Sequence, residues 1–314
     1  MLLRVLVAIV AFGVACIAWG VLIERSWYRV QRYRVPILPT GAGPLTVLHL
    51  SDLHFVRSDA KKARFLASLP AVDLTIVTGD FLAESDAVAT AVASVRPVRG
   101  RLASWFVLGS NDYYEPAPLN YLEYFRLHRR SRVARRGRSA DLIAGLTAEG
   151  WDDLTNLHRE VRLGGLDVEV VGLDDAHVAR HDLRIAPRTS PDLIGIGVMH
   201  SPDSAPETAA MGYDLLLAGH THGGQVCLPL VGALVTNCSM PRRLADGLIR
   251  MGPALLHISR GLGTSKFAPF RFACRPTATL LELQARPGGA SMDAATLHSP
   301  RDVAQFGSAQ RSGR

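Results

Sequence analysis

The chain has 314 residues, of which 48% are apolar, and carries a formal net charge of +7. This length provides one membrane anchor and one ordinary α/β domain of about 240 residues. The three cysteines outside the N-terminal apolar stretch, Cys227, Cys238 and Cys274, form an odd set without paired spacing. They argue against a disulfide framework and indicate a reducing compartment.

The chain begins with a long apolar stretch. Residues 5–23 carry no charge, and their number is about that of a helix that crosses the hydrocarbon core of a membrane. A cleaved signal peptide has a shorter apolar region and a small-residue cleavage site, and the match to a lipoprotein signal at Cys16 is weak. We therefore expect a retained anchor over residues 1–24 and a basic, proline-containing linker over residues 25–44. Only Arg4 precedes the span and four arginines follow it, so the positive-inside rule predicts a single-pass cell-membrane protein whose folded domain is cytoplasmic.

Five short apolar runs each end in side chains that can bind a metal ion. Such runs predict buried strands, and ligands of open sheets bind outside the carboxyl ends of the strands. The polar residues in question are Asp52 and His54 after residues 45–50, Asp80 after 74–78, Asn111 and Asp112 after 105–108, His200 after 194–199, and His220 and His222 after 215–219. One aspartate at a strand end is usually a turn or cap residue. Five such blocks together predict a metal site, because imidazole is the commonest protein ligand of zinc, iron and similar ions.

Between these runs strand-like and helical segments alternate, which is the pattern of a layered α/β fold. The predicted helices cover residues 61–69, 86–95, 140–149 and 203–211, and further strands cover 166–172, 254–259 and 277–283, the last two in the second half of a sandwich. Asp174 and Asp175, with His177 and His181, follow one strand; contact with the metal site is one interpretation, and a turn with surface histidines is the one we prefer. The folded domain is predicted over residues 45–285, and the segment 286–314 is predicted to be disordered because it has few apolar residues.

The ordered blocks resemble those of the calcineurin-like metallophosphoesterases. In chain order they are Asp52-x-His54, Gly79-Asp80, a variant of Gly-Asn-His at residues 109–112, His200, and Gly219-His220-x-His222. The amino-acid sequence of the last block and of residues 259–265 is most similar to that of the membrane-associated YkuE/YaeI-type branch. The resemblance covers about residues 45–283. It implies a four-layer α/β/β/α sandwich, here preceded by one transmembrane helix.

The resemblance also implies a centre of two divalent metal ions. Its ligands would be Asp52, His54 and His222 for the first ion, Asn111, His200 and His220 for the second, and Asp80 as the bridge. Two such cations clamp a phosphoryl group and turn a bridging water into hydroxide near neutral pH. The donor set suits manganese, iron or zinc and does not choose among them. The expected activity is hydrolysis of phosphate ester or pyrophosphate bonds, with His200 counted among the catalytic residues.

One block departs from the family pattern. Where Gly-Asn-His-Asp is usual, residues 109–112 read Gly-Ser-Asn-Asp. An alignment without a gap puts Ser110 at the ligand position and Asn111 at the position of the histidine that assists the leaving group. A shift by one residue keeps Asn111 as a ligand and puts Asp112 at the histidine position, and we prefer it because an amide oxygen is the better ligand. Asp112 would then be the catalytic acid, which requires a raised pKa.

The substrate is less well indicated. Arg260 is a candidate for a substrate phosphate, and Tyr113 for the pocket wall, although an aromatic pair after a strand more often serves packing. The arginine-rich residues 126–138 suit a solvated loop or an anionic membrane surface. Nucleic acid is unlikely as a partner, because no aromatic stacking platform accompanies these arginines. We expect a phosphorylated small molecule or lipid, in particular a lipid-linked substrate or lipid precursor. A nucleotide phosphodiesterase and a non-hydrolytic metal-binding or phosphate-sensing module are the alternatives.

Overall fold

Two six-stranded mixed sheets lie face to face in the computed structural model, which describes residues 1–116, 135–228 and 230–287. The strands are β1 (Arg29–Leu38), β2 (Leu45–Leu50), β3 (Leu74–Thr78), β4 (Ala103–Val107), β5 (Asp152–Asp153), β6 (Leu157–Leu163), β7 (Leu166–Leu173), β8 (Ile194–Met199), β9 (Leu215–Ala218), β10 (Cys227–Leu228), β11 (Gly232–Ala233), β12 (Gly247–Met251), β13 (Ala254–Ile258) and β14 (Thr277–Ala285). The α-helices are α1 (Leu2–Leu22), α2 (Ala60–Ala67), α3 (Val88–Val95), α4 (Ser110–Tyr113), α5 (Ser139–Ala148) and α6 (Ala205–Ala210).

The first sheet has the order β1-β14-β2-β3-β4-β5 and the second β12-β13-β9-β8-β7-β6, while β10 and β11 form a separate hairpin. Buried side chains of both sheets, such as Ile76 and Val198, form the central core. Helices α2, α3 and α5 cover the outer face of the first sheet. The outer face of the second is covered by α6 and short 3-10 turns. The predicted α/β/β/α sandwich is therefore confirmed, with a thin fourth layer.

The predicted strands that precede the candidate ligands are all present. Strands β2, β3 and β8 have the predicted bounds, and each is fully or almost fully buried, as a run of apolar residues covered on both faces must be. One assignment was wrong. Residues 277–283 belong to the first sheet, where β14 pairs with β1 and β2. An apolar run indicates burial, but it carries no information about which of two sheets contains the strand.

Part of the predicted linker is a strand of the domain. β1 pairs in parallel with β14 at the edge of the first sheet. Tyr33, Val35 and Ile37 point into the core, whereas Arg32 and Arg34, which alternate with them, are exposed. The basic residues that suggested a linker occupy the solvent side of an alternating strand, and Pro36 is tolerated because this is an edge strand. The predicted tail lies outside the described residues from 288 onward, as do residues 117–134 of the arginine-rich region.

Helix α1 extends away from the sandwich. It is the one helix among the described residues that is long and apolar enough to cross a membrane, with a mean hydropathy of 2.7 over its most apolar window. Nearly all of its side chains are exposed, and only Gly20 is buried. A helix of this composition exposed to water would be unfavourable, since apolar surface gains free energy on leaving water. The length and composition of α1 suggest a membrane anchor.

Candidate metal centre

Five candidate ligands adopt an unusual backbone conformation where their strands end. Asp52, His54, Asp80, His220 and His222 have φ values of 48°, 42°, 54°, 68° and 53°. Residues with a side chain seldom adopt this left-handed region, which costs of order 1–3 kcal/mol each and is concentrated at functional sites. The turns direct these side chains into one space between the carboxyl ends of β2 and β3 in the first sheet and β9 in the second.

One group of possible ligand atoms comprises Asp52, His54 and His222, whose donor atoms all lie within 4.8 Å of one another. The Nε2 atoms of the two imidazoles are 3.2 Å apart, and His222 Nε2 lies 3.5 Å from Asp52 Oδ1. The other carboxylate oxygen of Asp52 accepts hydrogen bonds from the Ser51 hydroxyl and the main chain of His220. Asp52 is therefore held so that Oδ1 faces the imidazoles.

A second group comprises Asp52, Asp80 and His200, so Asp52 is common to both groups. His200 Nδ1 donates to the carbonyl of Thr78 at 2.6 Å, which leaves Nε2 directed at Asp80 Oδ1, 3.6 Å away. The main-chain N–H and the side-chain amide of Asn111 donate to the two oxygens of Asp80 at 2.8 and 2.5 Å. This contact places the amide of Asn111 beside the carboxylate of Asp80.

His220 stands at the rim of the second group. Its Nε2 donates to the carbonyl of Asn237 at 3.0 Å, which leaves Nδ1 as the nitrogen that can bind a metal. Its ring lies 5.2 Å from the ring of His200 and 4.5 Å from that of His177. His220 does not belong to either close group of ligand atoms within the described part of the chain.

The electrostatics of the site suit cations. Burial disfavours a charged His200, yet the carboxylates of Asp80, Asp175 and Asp52 raise its pKa to about 10. His222 is held neutral, because burial and the neighbouring His54 lower its pKa well below the ordinary value. An imidazole must be neutral to bind a metal ion, and a bound cation would replace the proton that these carboxylates favour on His200.

Two buried atoms support a fit to metal ions directly. Asp52 Oδ1 and His200 Nε2 are shielded from solvent and have no hydrogen-bond partner among the described residues. A buried polar atom without a partner costs about 1–3 kcal/mol, so two such atoms aimed into one space indicate a missing ligand. The donor set of imidazole and carboxylate suits a transition-metal ion or zinc. The described residues can therefore hold at least one divalent ion in each group.

Two glycines allow the strand ends to approach one another. A Cβ on Gly219 would lie 1.7 Å from Ser51 Oγ and 2.6 Å from Asp52 Oδ2. A Cβ on Gly109 would lie 2.3 Å from Asp80 Oδ1. Side chains at these two positions would occupy the space of the ligands themselves, which explains physically why the blocks after β4 and β9 begin with glycine.

Three candidates are engaged elsewhere. Asp112 is fully buried, and its two oxygens accept hydrogen bonds from the main chain of Leu82 and Gly109, so the carboxylate does not face the site. Burial and the charge of Asp80 raise its pKa to about 8, but this geometry does not support a role as the acid. Arg260 forms an ion pair with Asp246 at 2.6 Å instead of facing the ligands. The hydroxyl of Tyr113 donates to Asp174 at 3.0 Å.

Three further residues border the centre, and for two of them, Asp175 and His177, the sequence left both the site and a turn open. Asp175 is fully buried, its Oδ2 has no partner among the described residues, and it acts electrostatically on His200, while its Oδ1 accepts the main-chain N–H of His177 in the predicted turn. His177 adds an imidazole next to His220. Arg271 is fully buried and donates to His222 Nδ1 at 3.3 Å and to several main-chain carbonyls around it. A buried arginine far from the ligands in sequence leaves no local signal.

Comparison with known proteins agrees with the site. Residues 45–224 match the family described as calcineurin-like phosphoesterase. The chain is 25% identical to the uncharacterized metallophosphoesterase YkuE of Bacillus subtilis, over 85% of this chain and 93% of the relative. It is 28% identical to the phosphodiesterase YaeI of Escherichia coli, over 83% and 90%. It is 25% identical to the UDP-2,3-diacylglucosamine pyrophosphatase LpxG of Chlamydia trachomatis, over 90% and 97%.

Proposed function

The chain belongs to the calcineurin-like phosphoesterase family and is a metallophosphoesterase, and from this premise we propose that it hydrolyses a phosphate ester or pyrophosphate bond in a lipid-linked substrate at a membrane. The observation that carries the proposal is the pair of ligand groups that share Asp52, each with buried donor atoms directed into one space. Such a constellation is the requirement for two-metal phosphoryl chemistry.

The ligand roles that we propose are those that the family resemblance implies. Asp52, His54 and His222 would hold one ion, and His200, His220 and Asn111 the other, with Asp80 between them. When bound, the ions would polarise the phosphoryl group and stabilise the negative charge that develops on its oxygens. His200 is held in one tautomer by Thr78, so it serves as a ligand more readily than as a proton donor.

The membrane part of the proposal is supported by α1 and by one relative. The helix provides a span of sufficient length and hydropathy. LpxG is a pyrophosphatase of UDP-2,3-diacylglucosamine, a nucleotide-linked lipid precursor. We propose a substrate of that class and a catalytic domain on the cytoplasmic face. The cationic surface that we propose faces anionic lipid would include Arg135, Arg136 and Arg138, of which Arg135 and Arg138 are exposed beside single acidic partners.

The catalytic proposal is tested on the full chain in detergent micelles. Metal ions per chain would be counted, and hydrolysis of a soluble activated phosphodiester measured with added manganese. We expect the parent to bind about two ions per chain and to hydrolyse the diester. In Asp80→Asn we expect both the metal content and the hydrolysis to be lost. Asp141→Asn is the matched control, because Asp141 lies on the exposed surface of α5. If the parent binds two ions but hydrolyses no ester, the enzymatic proposal is refuted and a metal-binding or phosphate-sensing module is favoured.

The substrate class needs a second comparison. A diacylated sugar nucleotide with a pyrophosphate bond and its deacylated, water-soluble counterpart would be presented to the protein in lipid nanodiscs. We expect the acylated compound to be cleaved faster, because acyl chains concentrate it at the surface where the domain is anchored. Equal or greater rates with the deacylated compound would favour a soluble nucleotide substrate.

A further inference from the structure

The end of α1 is packed against the loop that carries Arg271. Gly20 is buried there, and its carbonyl accepts a hydrogen bond from the main chain of Arg271 at 3.3 Å. Glu24, also buried, accepts from Trp19 Nε1 at 2.9 Å and from the main chain of Cys274 at 2.7 Å. The anchor and the domain are therefore joined by defined contacts and not by a free linker.

This contact sets the level of the domain relative to the bilayer. Gly20 lies three residues before the end of the apolar stretch, which corresponds to about 4.5 Å along a helix. The main chain at Arg271 must then lie at the depth of the last helical turn of the span. Trp19 and Trp27 pack edge to face at this level, as aromatic residues of a membrane interface do. The loop of residues 269–275 is consequently at the membrane surface.

The β10–β11 hairpin lies next to this loop and exposes apolar side chains. The main chain of Cys227 donates to the carbonyl of Phe272 at 2.8 Å, and Val226 forms a β-bridge with the same residue. At the tip, Leu230 is fully exposed and Val231 is 66% exposed, and Leu228 on β10 is 41% exposed. Three large apolar side chains exposed together beside a membrane anchor are unfavourable in water and mark an interaction surface.

The base of the hairpin carries cationic side chains. The guanidinium of Arg242 donates to the carbonyl of Leu234 at 2.8 Å, and Arg243 beside it is exposed. An apolar tip with arginines behind it matches a lipid interface, where the tip enters the acyl region and the cations meet headgroup phosphates. A soluble protein partner would not explain the continuity of this surface with the membrane-embedded end of α1.

The hairpin is also continuous with the metal centre. It begins five residues after His222, and by Asn237 the chain has returned to accept the hydrogen bond of His220. Ala233 of β11 packs so closely on Gly224 that a Cβ there would lie 2.3 Å from it. The hairpin thus begins and ends beside the loop that contains His220 and His222, so its position is coupled to that of these two histidines.

We propose that the β10–β11 hairpin inserts Leu228, Leu230 and Val231 into the leaflet that α1 enters, with Arg242 and Arg243 at the headgroup level. The metal centre is then held against the bilayer and receives a phosphate carried by a lipid in that bilayer. The insertion rests on the contacts above, and the identity of the substrate rests on the proposed function.

Insertion is tested without any need for activity. The full chain with Leu230→Trp is reconstituted into bilayers whose acyl chains carry bromine near the headgroups. Leu102→Trp is the matched control, because Leu102 is 46% exposed at the amino end of β4, opposite the hairpin. After subtraction of the parent signal, the fluorescence of the added tryptophan should fall at least about twofold for Leu230→Trp and stay unchanged for Leu102→Trp. Equal quenching of the two variants would overturn the proposal.

A second measurement tests presentation of the substrate. The double variant Leu230→Ser/Val231→Ser should lower the ratio of the rate on a bilayer-borne phosphate ester to the rate on a soluble phosphodiester, on the order of tenfold. Leu102→Ser should leave that ratio unchanged. An unchanged ratio in the double variant would refute presentation by the hairpin. A parent protein without turnover on either ester would refute the proposed function and leave the quenching result valid.

Discussion

Replacement of Gly219 by alanine is expected to displace a metal ligand. The new Cβ would lie 1.7 Å from Ser51 Oγ, and contacts of a real Cβ are essentially never shorter than 3.0 Å. The two atoms must therefore separate by at least 1.3 Å, the difference between these distances. Ser51 cannot rotate away freely, because its hydroxyl donates to Asp52 Oδ2 at 2.6 Å. The same oxygen would itself lie 2.6 Å from the new Cβ.

The size of the effect follows from that displacement. A shift of about 1 Å in a reacting or ligating group costs on the order of 10²-fold in rate. This factor corresponds to ~2.7 kcal/mol of transition-state stabilisation. Forcing one extra carbon into a closely packed place costs about 1–3 kcal/mol of stability, so the domain should remain folded while its activity falls. Asp52 belongs to both ligand groups, and both ions should therefore bind less tightly.

The assay compares kcat/KM on a soluble phosphodiester and the metal content per chain. Gly43→Ala is the control, because a Cβ at that exposed position would meet nothing within 4 Å. Adding Ser51→Gly to Gly219→Ala removes the shortest contact and should restore part of the activity. If Gly219→Ala retained a rate within about twofold of Gly43→Ala, the close approach of these strand ends would not matter for ligation, and the reasoning would be wrong.

Three further outcomes are expected. Exhaustive treatment with a chelator should abolish hydrolysis by the parent, and added manganese should restore it. Added manganese should not restore hydrolysis by Asp80→Asn. Full recovery of Asp80→Asn would show that Asp80 is no ligand. Arg271→Lys should lower the free energy of unfolding by roughly 1–3 kcal/mol in a urea titration, because one ammonium nitrogen cannot occupy both guanidinium positions that reach the buried carbonyls of Arg260, Gly263 and Cys274, and at least one carbonyl is left unpaired; an unchanged midpoint would contradict this. Burial lowers the pKa of His257 to about 3, so the folded protein keeps it neutral and stability falls as the pH drops from about 6.5 toward 3. His257→Gln should reduce this slope by ~1.4 kcal/mol per pH unit, and a slope equal to the parent's would refute the assignment.

The sequence alone located most of the candidate ligands, because the signal is local. An apolar run predicts a buried strand, and a polar block directly after it lies at the carboxyl end. Asp52, His54 and Asp80 follow two neighbouring parallel strands of the first sheet, so their proximity follows from the strand order. His200 and His222 follow neighbouring parallel strands of the second sheet in the same way.

The roles of single polar residues depended on the directions in which their side chains point, and the sequence does not contain this information. Asp112 has the residue type of an acid, but the short helix α4 turns both of its oxygens toward main-chain N–H groups. Arg260 has the residue type of a phosphate ligand, but Asp246 neutralises it. In both cases the partner is a group whose position is set by the fold.

What the sequence by itself determined was the set of buried strands, the apolar span and the polar blocks at the strand ends, since periodicity and composition record local burial. Only the tertiary structure decided that β14 belongs to the first sheet, that Asp52 serves both ligand groups, and that Asp175, His177 and Arg271 border the centre. The physical reason is that these are choices among distant partners of similar composition. They are made by the packing of two sheets against each other and by the satisfaction of buried polar groups, which no short segment of the chain encodes.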